Sequence, residues 1–379
     1  MFEMAEPAQK LNPAHDHTQE GSEDMNWREK RVLVTGGASF IGSHLVDLLV
    51  DKGVRQIRVV DDLTSGRAEN IQGHIDSGRA DLIRADLLAP GVPDAVVRDM
   101  DVVFHLAAIH GGRGYVDLHQ AACAQNFAMD GMLIKAAHDA GVEKFVFASS
   151  GCVYPNYMQQ DVSQELYLTE EMAGPPYDAD NLYGWAKLMA EMTLQAHSRD
   201  FGMKSASCRF FTVYGERGVE NHAVIAMIAR AFIRENPFEV WGDGSQIRNW
   251  TYVGDIVNGM VLAAEKIDDG TAVNLGTMER TTVIDAVREV LRYTGRTAEI
   301  KFRTDMPTGP KNRVASHALA QRLLGWQPQM SFIDGLHRTT DWYFATKDPA
   351  RVSASLQRLL TERPEPEQVS EPMLVEVAG

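Results

Sequence analysis

The segment Arg31-Val-Leu-Val-Thr-Gly-Gly-Ala-Ser-Phe-Ile-Gly42 decides the fold class of this chain. Its first five residues form an apolar run typical of a buried strand, and residues 43–50 carry apolar side chains at helical spacing. Glycines between a strand and a helix let the backbone approach a pyrophosphate, and the helix N-terminus offers it N–H groups. The segment therefore predicts an α/β fold with a Rossmann-type, doubly wound parallel sheet that binds a dinucleotide. The predicted contacts in the turn are Gly36, Ser39, Phe40, Ile41 and Gly42.

Four further apolar runs continue this alternation, and small or acidic residues follow each of them. The run at 57–60 leads into Asp61, where a carboxylate would hold ribose hydroxyls and repel a 2′-phosphate, so NAD is predicted. Arg67 nearby keeps NADP open as the alternative. Asp86, after the third run, is expected either to accept from the adenine amino group or to cap a helix. Leu87 and Ala107 are the other predicted cofactor contacts at strand ends.

Tyr183 and Lys187 lie four residues apart, so they share one face of a predicted helix. An ammonium close to a phenol favours the phenolate, which lowers the pKa of the tyrosine from its ordinary value near 10. Such a tyrosine can take a proton from a hydroxyl while a nicotinamide accepts hydride from the same carbon. The alternative is an ordinary contact on a helix surface. The dinucleotide turn upstream favours the catalytic interpretation.

Together these motifs resemble the extended short-chain dehydrogenase/reductase superfamily, and more narrowly its nucleotide-sugar epimerases, dehydratases and reductases. The resemblance extends from Arg31 to about Ala345, with one departure, since Ser39 stands where the family has a glycine. It rests on Thr35–Gly42, Asp61, Asp86, His105-Leu-Ala-Ala108, Ser149-Ser150, Tyr183-xxx-Lys187 and Arg209-Phe-Phe-Thr-Val-Tyr-Gly215. It implies that Tyr183 deprotonates a sugar hydroxyl, Lys187 holds the nicotinamide ribose and Ser150 binds the developing carbonyl.

Residues 149–155 (Ser-Ser-Gly-Cys-Val-Tyr-Pro) indicate which chemistry follows. Sugar dehydratases and glucuronate decarboxylases carry carboxylates where this chain has Gly151 and Cys152, which argues against both reactions. The stretch is instead similar to that of GDP-mannose 3,5-epimerases and, less closely, GDP-fucose synthases, in which the cysteine transfers protons. By the same resemblance, His222 is the second proton-transfer residue. The alternatives are a small buried cysteine, a histidine that caps a helix or faces solvent, and, for His105, a hydrogen-bonded core histidine.

Substrate contacts are expected from two regions. The loop after the fourth strand, with Gly111, Gly112 and Arg113, resembles a sugar-pocket loop of the 3,5-epimerases; the alternative is a flexible surface loop. Arg248 and Arg313 match the two arginines that hold the diphosphate in the family, a task suited to the guanidinium fork. The family aspartate three residues after Arg313 is Ser316 here, so that arginine is expected to be held differently. Asn221 is a further predicted substrate contact.

Composition excludes several classes of partner. The chain has 379 residues and a net charge of −15, so nucleic acid and anionic membrane surfaces are not expected partners. No apolar run reaches the ~18 residues of a membrane span, and no signal peptide or metal site is predicted. Three cysteines indicate no disulfide framework, which favours a cytoplasmic location.

The predicted organisation has four parts: an N-terminal tail over 1–29, an NAD-binding domain over 30–200, a nucleotide-sugar-binding lobe over 212–349 and an acidic C-terminal tail over 350–379. The last strand of the NAD-binding domain is expected near 204–211. The resemblance also implies a homodimer formed through helices near 118–140 and 183–198.

The sequence thus predicts an NAD-dependent nucleotide-sugar epimerase that acts through a transient 4-keto sugar, similar to the GDP-mannose 3,5-epimerases, with a GDP-sugar favoured as substrate. A nucleotide-sugar 4-epimerase and a 4-keto-sugar epimerase-reductase remain alternatives. A non-catalytic protein that binds NAD or a sugar nucleotide is a third.

Overall fold

The computed structural model describes residues 25–363, and its centre is a seven-stranded parallel sheet in the order β11-β6-β5-β4-β1-β2-β3. The strands are β1 Arg31–Thr35, β2 Gln56–Asp61, β3 Ala80–Arg84, β4 Val102–His105, β5 Lys144–Ser150, β6 Ser205–Phe210, β7 Val213–Tyr214, β8 Phe238–Trp241, β9 Ile247–Arg248, β10 Thr251–Tyr252, β11 Asp269–Leu275, β12 Thr281–Thr282, β13 Ile300–Arg303 and β14 Asn312–Arg313. The helices are α1 Phe40–Asp51, α2 Gln72–Asp76, α3 Val92–Val97, α4 Arg113–Leu118, α5 Gln120–Ala124, α6 Asn126–Asp139, α7 Asn181–Phe201, α8 Ala223–Phe232, α9 Val253–Lys266, α10 Val283–Tyr293, α11 Ala318–Leu324, α12 Phe332–Thr346 and α13 Pro349–Leu359.

Alternate side chains of each strand enter different cores, as the period of two in a strand requires. In β1, Val32 and Val34 pack in the core that contains α1 and α9, whereas Leu33 packs in the core that contains α3, α6 and α7. Both faces of the sheet are therefore covered by helices. The strand order reverses between β1 and β4, as expected of the predicted doubly wound fold, which is confirmed.

The second half of the chain forms a smaller lobe from short strands and α8, α10 and α12. Its sheets are β10-β7, β12-β9-β14 and β13-β8. In one of them β9 and β14 run parallel, with Arg248 directly opposite Arg313. Two arginines distant in sequence thus meet at one edge of this lobe. None of the helices within residues 25–363 is long and apolar enough to cross a membrane.

The predicted boundaries need three corrections. Within the predicted N-terminal tail, Trp27 is buried; its ring stacks on Phe104, and its indole N–H donates to Glu265 (2.7 Å). Strand β11, assigned above to the second lobe, is an edge strand of the main sheet. The predicted C-terminal tail begins with α13, which buries Val352 and Leu356. The rest of both tails, residues 1–24 and 364–379, lies outside the described residues.

Candidate active site

A cleft of about 640 Å³ lies between the carboxyl edge of the main sheet and the smaller lobe. Its position, outside the point where the strand order reverses, is where doubly wound folds bind ligands, and its volume suits a small-molecule site. The cleft is lined by nearly all the residues predicted above: Gly36, Ser39, Phe40, Ile41, Gly42, Asp61, Asp86, Leu87, Ala107, Gly111, Gly112, Arg113, Ser150, Cys152, Tyr183, Lys187, Asn221, His222, Arg248 and Arg313.

The glycine turn is shaped by close backbone contacts. Gly36 has a φ of +68°, and a Cβ there would lie 2.9 Å from the amide nitrogen of Ala107. A Cβ on Gly42 would lie 2.1 Å from the carbonyl oxygen of Gly36. Only glycine fits at these two positions, so the backbone of the turn and the N-terminus of α1 are open to a ligand.

Ser39 is accommodated because its hydroxyl donates to Oδ2 of Asp61 (3.2 Å), which also accepts from the amide of Ala38 (3.1 Å). Oδ1 of Asp61 accepts from the amide of Leu63 (2.9 Å). Burial raises the pKa of Asp61, and these donors oppose that rise. The carboxylate predicted to hold the ribose is thus held in place by the turn itself.

Asp86 is exposed at the rim of the cleft, where its Oδ1 accepts from the amide of Leu88 (2.9 Å). Of its two predicted roles, helix capping is wrong, because Gly91 occupies the N-cap of α3. Leu87 is buried beside it.

Lys187 is fully buried, and within the described residues its Nζ has no hydrogen-bond partner. The ammonium lies 4.4 Å from the ring centre of Phe147 and 5.8 Å from that of Tyr183. Burial lowers the pKa of Lys187, while Asp130 and then Glu191 act to raise it. A buried ammonium with unused donors in a cleft is suited to hold the ribose hydroxyls of a dinucleotide.

The expectation that Lys187 lowers the pKa of Tyr183 is wrong for the chain by itself. Burial raises the pKa of Tyr183, followed by the charges of Cys152 and Asp130, and the Ser150 side chain opposes them through a hydrogen bond. The physical reason is that burial penalises the phenolate, while the Lys187 ammonium lies 5.8 Å from the Tyr183 ring centre and faces Asp130.

A buried chain of polar contacts connects the sheet to Lys187. Thr35 Oγ1 lies 2.7 Å from His105 Nδ1, and His105 Nε2 lies 3.0 Å from Oδ1 of Asp130. Oδ2 of Asp130 then lies 3.9 Å from Nζ of Lys187. His105 is fully buried with both ring nitrogens engaged, so the interpretation of His105 as a hydrogen-bonded core histidine is confirmed.

Cys152 lies in the cleft and not in the core, so the buried-cysteine alternative is wrong. Its side chain is half-buried, its amide donates to Ser150 Oγ (3.1 Å), and its Sγ accepts from Nη1 of Arg313 (3.3 Å). Gly184 allows the close approach of α7, because a Cβ there would lie 2.3 Å from the carbonyl oxygen of Cys152. The thiol and Tyr183 therefore occupy adjacent positions.

His222 occupies the N-cap position of α8 without a side-chain capping bond, and its half-buried ring lines the cleft. The capping and solvent-facing alternatives are therefore wrong. Burial lowers its pKa to about 4, so the imidazole is neutral at pH 7. His110 lies beside it and was not singled out from the sequence. The His110 ring centre is 5.9 Å from that of His222 and 6.0 Å from that of Tyr183, and burial lowers its pKa to about 3.

The glycines of the loop after β4 serve packing. A Cβ on Gly112 would lie 1.6 Å from the carbonyl oxygen of Asn221, and one on Gly111 would lie 2.6 Å from Cβ of Tyr115. Gly112 thus lets the loop touch the start of α8, which brings His110 and His222 together. The loop is at least partly buried and lines the cleft, so it is not a surface loop.

Three guanidinium groups meet at the other end of the cleft. Asp180 accepts from Nη1 of Arg113 (2.7 Å) and from Nη2 of Arg313 (3.0 Å). Arg248 donates only to the carbonyls of Ile247 and Thr308 in its hydrogen bonds within residues 25–363. Burial, then the charges of Arg313 and Arg113, lowers the pKa of Arg248 to about 9. The cluster has excess positive charge and suits an anionic ligand. Arg313 also donates to Sγ of Cys152.

The segment after α13 also reaches the cleft, which the tail prediction missed. Leu360 and Arg363 line it, and Nη2 of Arg363 donates to Ser65 Oγ (3.1 Å) next to the Asp61 loop. Gly114 is required here, because a Cβ would lie 2.5 Å from the Leu360 carbonyl oxygen. Only the composition of this segment was visible in the sequence, so its contacts could not be foreseen.

The fold and this cleft define an enzyme of the nucleotide-sugar-modifying, NAD-dependent class. Residues 32–276 match the model of the NAD dependent epimerase/dehydratase family, and the chain belongs to that family. The predicted family and the NAD cofactor are thereby confirmed. The orphaned Lys187 ammonium and the glycine turn fit the ribose and pyrophosphate of NAD.

Curated relatives act on different nucleotide sugars. The chain is 30% identical to GDP-mannose 3,5-epimerase 1 of Oryza sativa subsp. indica, over 82% of this chain and 81% of the relative. It is 32% identical to an uncharacterised UDP-glucose epimerase, YtcB, of Bacillus subtilis, over 81% of this chain and 95% of the relative.

The solved structures include 4-epimerases. That of UDP-glucose 4-epimerase from Thermotoga maritima, with UDP-glucose, is 29% identical with a TM-score of 0.74, covering 83% of this chain and 99% of that one. UDP-glucuronic acid 4-epimerase from Bacillus cereus, solved with UDP-glucuronic acid and NAD, is 28% identical with a TM-score of 0.75, covering 84% and 100%.

We predict that Arg248→Gln weakens the binding of a nucleoside diphosphate about 10- to 100-fold, because a charge-assisted bond to the diphosphate is lost. Titration calorimetry with GDP and UDP measures the change. Arg288→Gln, an exposed arginine on α10, is the matched control and should bind as the wild type does. Equal affinity of Arg248→Gln and wild type for both nucleotides would remove Arg248 from the site.

Proposed function

We propose that the protein is a nucleotide-sugar epimerase that exchanges protons at ring carbons beside a transient 4-keto group, as in 3,5-epimerisation, with a GDP-sugar as the favoured substrate. The observation that carries the proposal is that Tyr183, Cys152 and His222 line one cleft next to the arginine cluster. A catalytic tyrosine and two further proton-transfer groups are what epimerisation through a ketone requires.

Tyr183 and Ser150 perform the first step. The Tyr183 phenolate takes the proton of the sugar hydroxyl at C4 and becomes the phenol, and Ser150, which is hydrogen-bonded to Tyr183, then donates to the developing carbonyl. Bound NAD supplies the hydride acceptor for this carbon and a positive ring charge that favours the Tyr183 phenolate. In the chain by itself, burial keeps Tyr183 protonated. The tyrosine therefore acts as a base only when NAD and the sugar are bound.

Cys152 and His222 perform the second step. A carbonyl at C4 acidifies the adjacent C–H bonds, so one of the two groups removes a proton and the other delivers one to the opposite face. His222 is neutral at pH 7, so its imidazole can accept the ring proton while the Cys152 thiol donates. Arg313 fixes the position of Sγ through its hydrogen bond.

The arginine cluster supports binding of the diphosphate. With a pKa of about 9, Arg248 is still protonated at pH 7, and its described hydrogen bonds go only to carbonyls. A diphosphate would therefore compensate a charge with which Asp180 forms no hydrogen bond. The GDP preference rests on the similarity of residues 149–155 to the 3,5-epimerases and on the rice relative.

We predict that the wild type, incubated with GDP-, UDP- and dTDP-sugars in D2O, incorporates deuterium at C3 or C5 of one GDP-hexose, as read by NMR. Cys152→Ser should reduce incorporation at least about 100-fold, because a hydroxyl is a much weaker acid than a thiol. Cys208→Ala, at a thiol buried in β6, should incorporate deuterium as the wild type does.

Inversion at C4 without deuterium incorporation would contradict proton exchange at a ring carbon and establish the 4-epimerase instead. Net consumption of reduced cofactor would indicate the epimerase-reductase. Binding without turnover, unchanged in Tyr183→Phe, would establish a non-catalytic protein.

We also propose that the protein is a cytoplasmic homodimer formed through α6 and α7. Trp185, Met189 and Met192 lie along one face of α7 and are 36–49% exposed, and Phe127 and Met132 of α6 are similarly exposed. Large apolar side chains that are exposed along one helix face are typical of an interface.

We predict that Met189→Glu converts a dimer into a monomer, because a charge would be buried in the interface. Light scattering coupled to size exclusion gives the mass of each species. Met278→Glu, at an exposed methionine outside α6 and α7, should leave the dimer intact. A wild type that is monomeric at all concentrations tested would refute the dimer.

A further inference from the structure

The ammonium of Lys187 lies in an unusual setting for a group that must bind a ligand. Its side chain is 1% exposed, and the opposing carboxylate of Asp130 is 2% exposed. Both Nζ of Lys187 and Oδ2 of Asp130 lack hydrogen-bond partners within residues 25–363, although they lie only 3.9 Å apart. At this distance the two charges attract one another, but Asp130 does not accept a hydrogen bond from Lys187, so the N–H donors of the ammonium stay available.

The protonation state of His105, the hydrogen-bond partner of Asp130, follows from the hydrogen bonds of Thr35. Oγ1 of Thr35 accepts from the amides of Leu106 and Ala107, each at 3.2 Å, so the hydroxyl proton of Thr35 is available to Nδ1 of His105. His105 must then carry its own proton on Nε2, which donates to Oδ1 of Asp130. Burial lowers the pKa of His105, so this ring is neutral.

Asp130 is therefore an acceptor whose negative charge the neutral His105 does not cancel. The titratable groups that face Lys187 are Asp130 from α6, Glu191 and Tyr183 from α7, His105 from β4 and His110 from the adjacent loop. Glu191 is already paired with Arg209 (2.8 Å). Asp130 is thus the nearest carboxylate whose charge is left for Lys187.

We propose that Asp130 is a positioning residue for the cofactor site: it keeps Lys187 protonated in the interior and, by standing beyond hydrogen-bond distance, leaves the ammonium donors to the nicotinamide ribose. Asp130 acts through Lys187 and touches no ligand itself. The inference depends on the NAD dependence of the family and not on the proposed sugar chemistry.

The test is the pH dependence of NAD binding by full-length Asp130→Asn, measured by titration calorimetry from pH 7 to 9. Asparagine preserves an acceptor for His105 and removes only the charge. Without that charge Lys187 loses its proton at lower pH, so the affinity of the variant should fall about tenfold between pH 7 and pH 9. The affinity of the wild type should change little over the same range.

Asp139→Asn, on the exposed end of α6, is the matched control and should follow the wild type. A purely structural role of Asp130 predicts a uniform loss of NAD affinity with the wild-type pH dependence, and either that result or an unchanged affinity overturns the proposal. Because the readout is binding of NAD, a failure of the proposed epimerase chemistry would leave this result untouched.

A second measurement covers the case in which Asp130→Asn does not fold. Lys187→Met leaves the Asp130 carboxylate buried without its counter-charge, so adding Asp130→Asn should raise the Tm of that variant. A double variant with a Tm equal to or below that of Lys187→Met would show that the two charges do not compensate one another, and would overturn the proposal.

Discussion

The candidate active site depends on one electrostatic constraint, a lysine ammonium held inside the protein opposite the carboxylate of Asp130. Lys187 and Asp130 come from α7 and α6, and His105 and Thr35 connect Asp130 to β4 and β1. Removing an ion from water is costly, so such a charge persists only when a counter-charge is fixed in place. The pair joins both helices and, through His105 and Thr35, the sheet edge.

The two ends of the cleft are built by different means. At the cofactor end, backbone geometry dominates: the turn between β1 and α1 tolerates no Cβ at Gly36 or Gly42, and Asp61 holds the turn through its amides. At the opposite end, side chains dominate: Arg113 of α4 and Arg313 of β14 bind Asp180, and Arg248 of β9 lies opposite Arg313. A cofactor end built from backbone and a second end built from side chains are consistent with a family whose members act on different sugars.

The sequence predicted those parts of the site that are formed by residues close together in the chain. The glycine turn and the Tyr183–Lys187 pair could be read directly, because a strand–turn–helix and an i, i+4 spacing are each contained in a few residues. Asp130, His110 and Asp180 could not, since their partners come from elements up to 133 residues distant in the chain. The pKa of Tyr183 was mispredicted for the same reason: spacing placed Lys187 nearby but did not reveal that Tyr183 is buried and that Lys187 faces Asp130.

A crystal structure with NAD and a nucleotide sugar bound tests the central claim most directly. The account predicts that Nζ of Lys187 donates to the nicotinamide ribose while remaining opposite Asp130. It also predicts that the Tyr183 hydroxyl lies within about 3 Å of a sugar hydroxyl. A ribose out of reach of Lys187, or a Tyr183 hydroxyl turned away from the sugar, would contradict it.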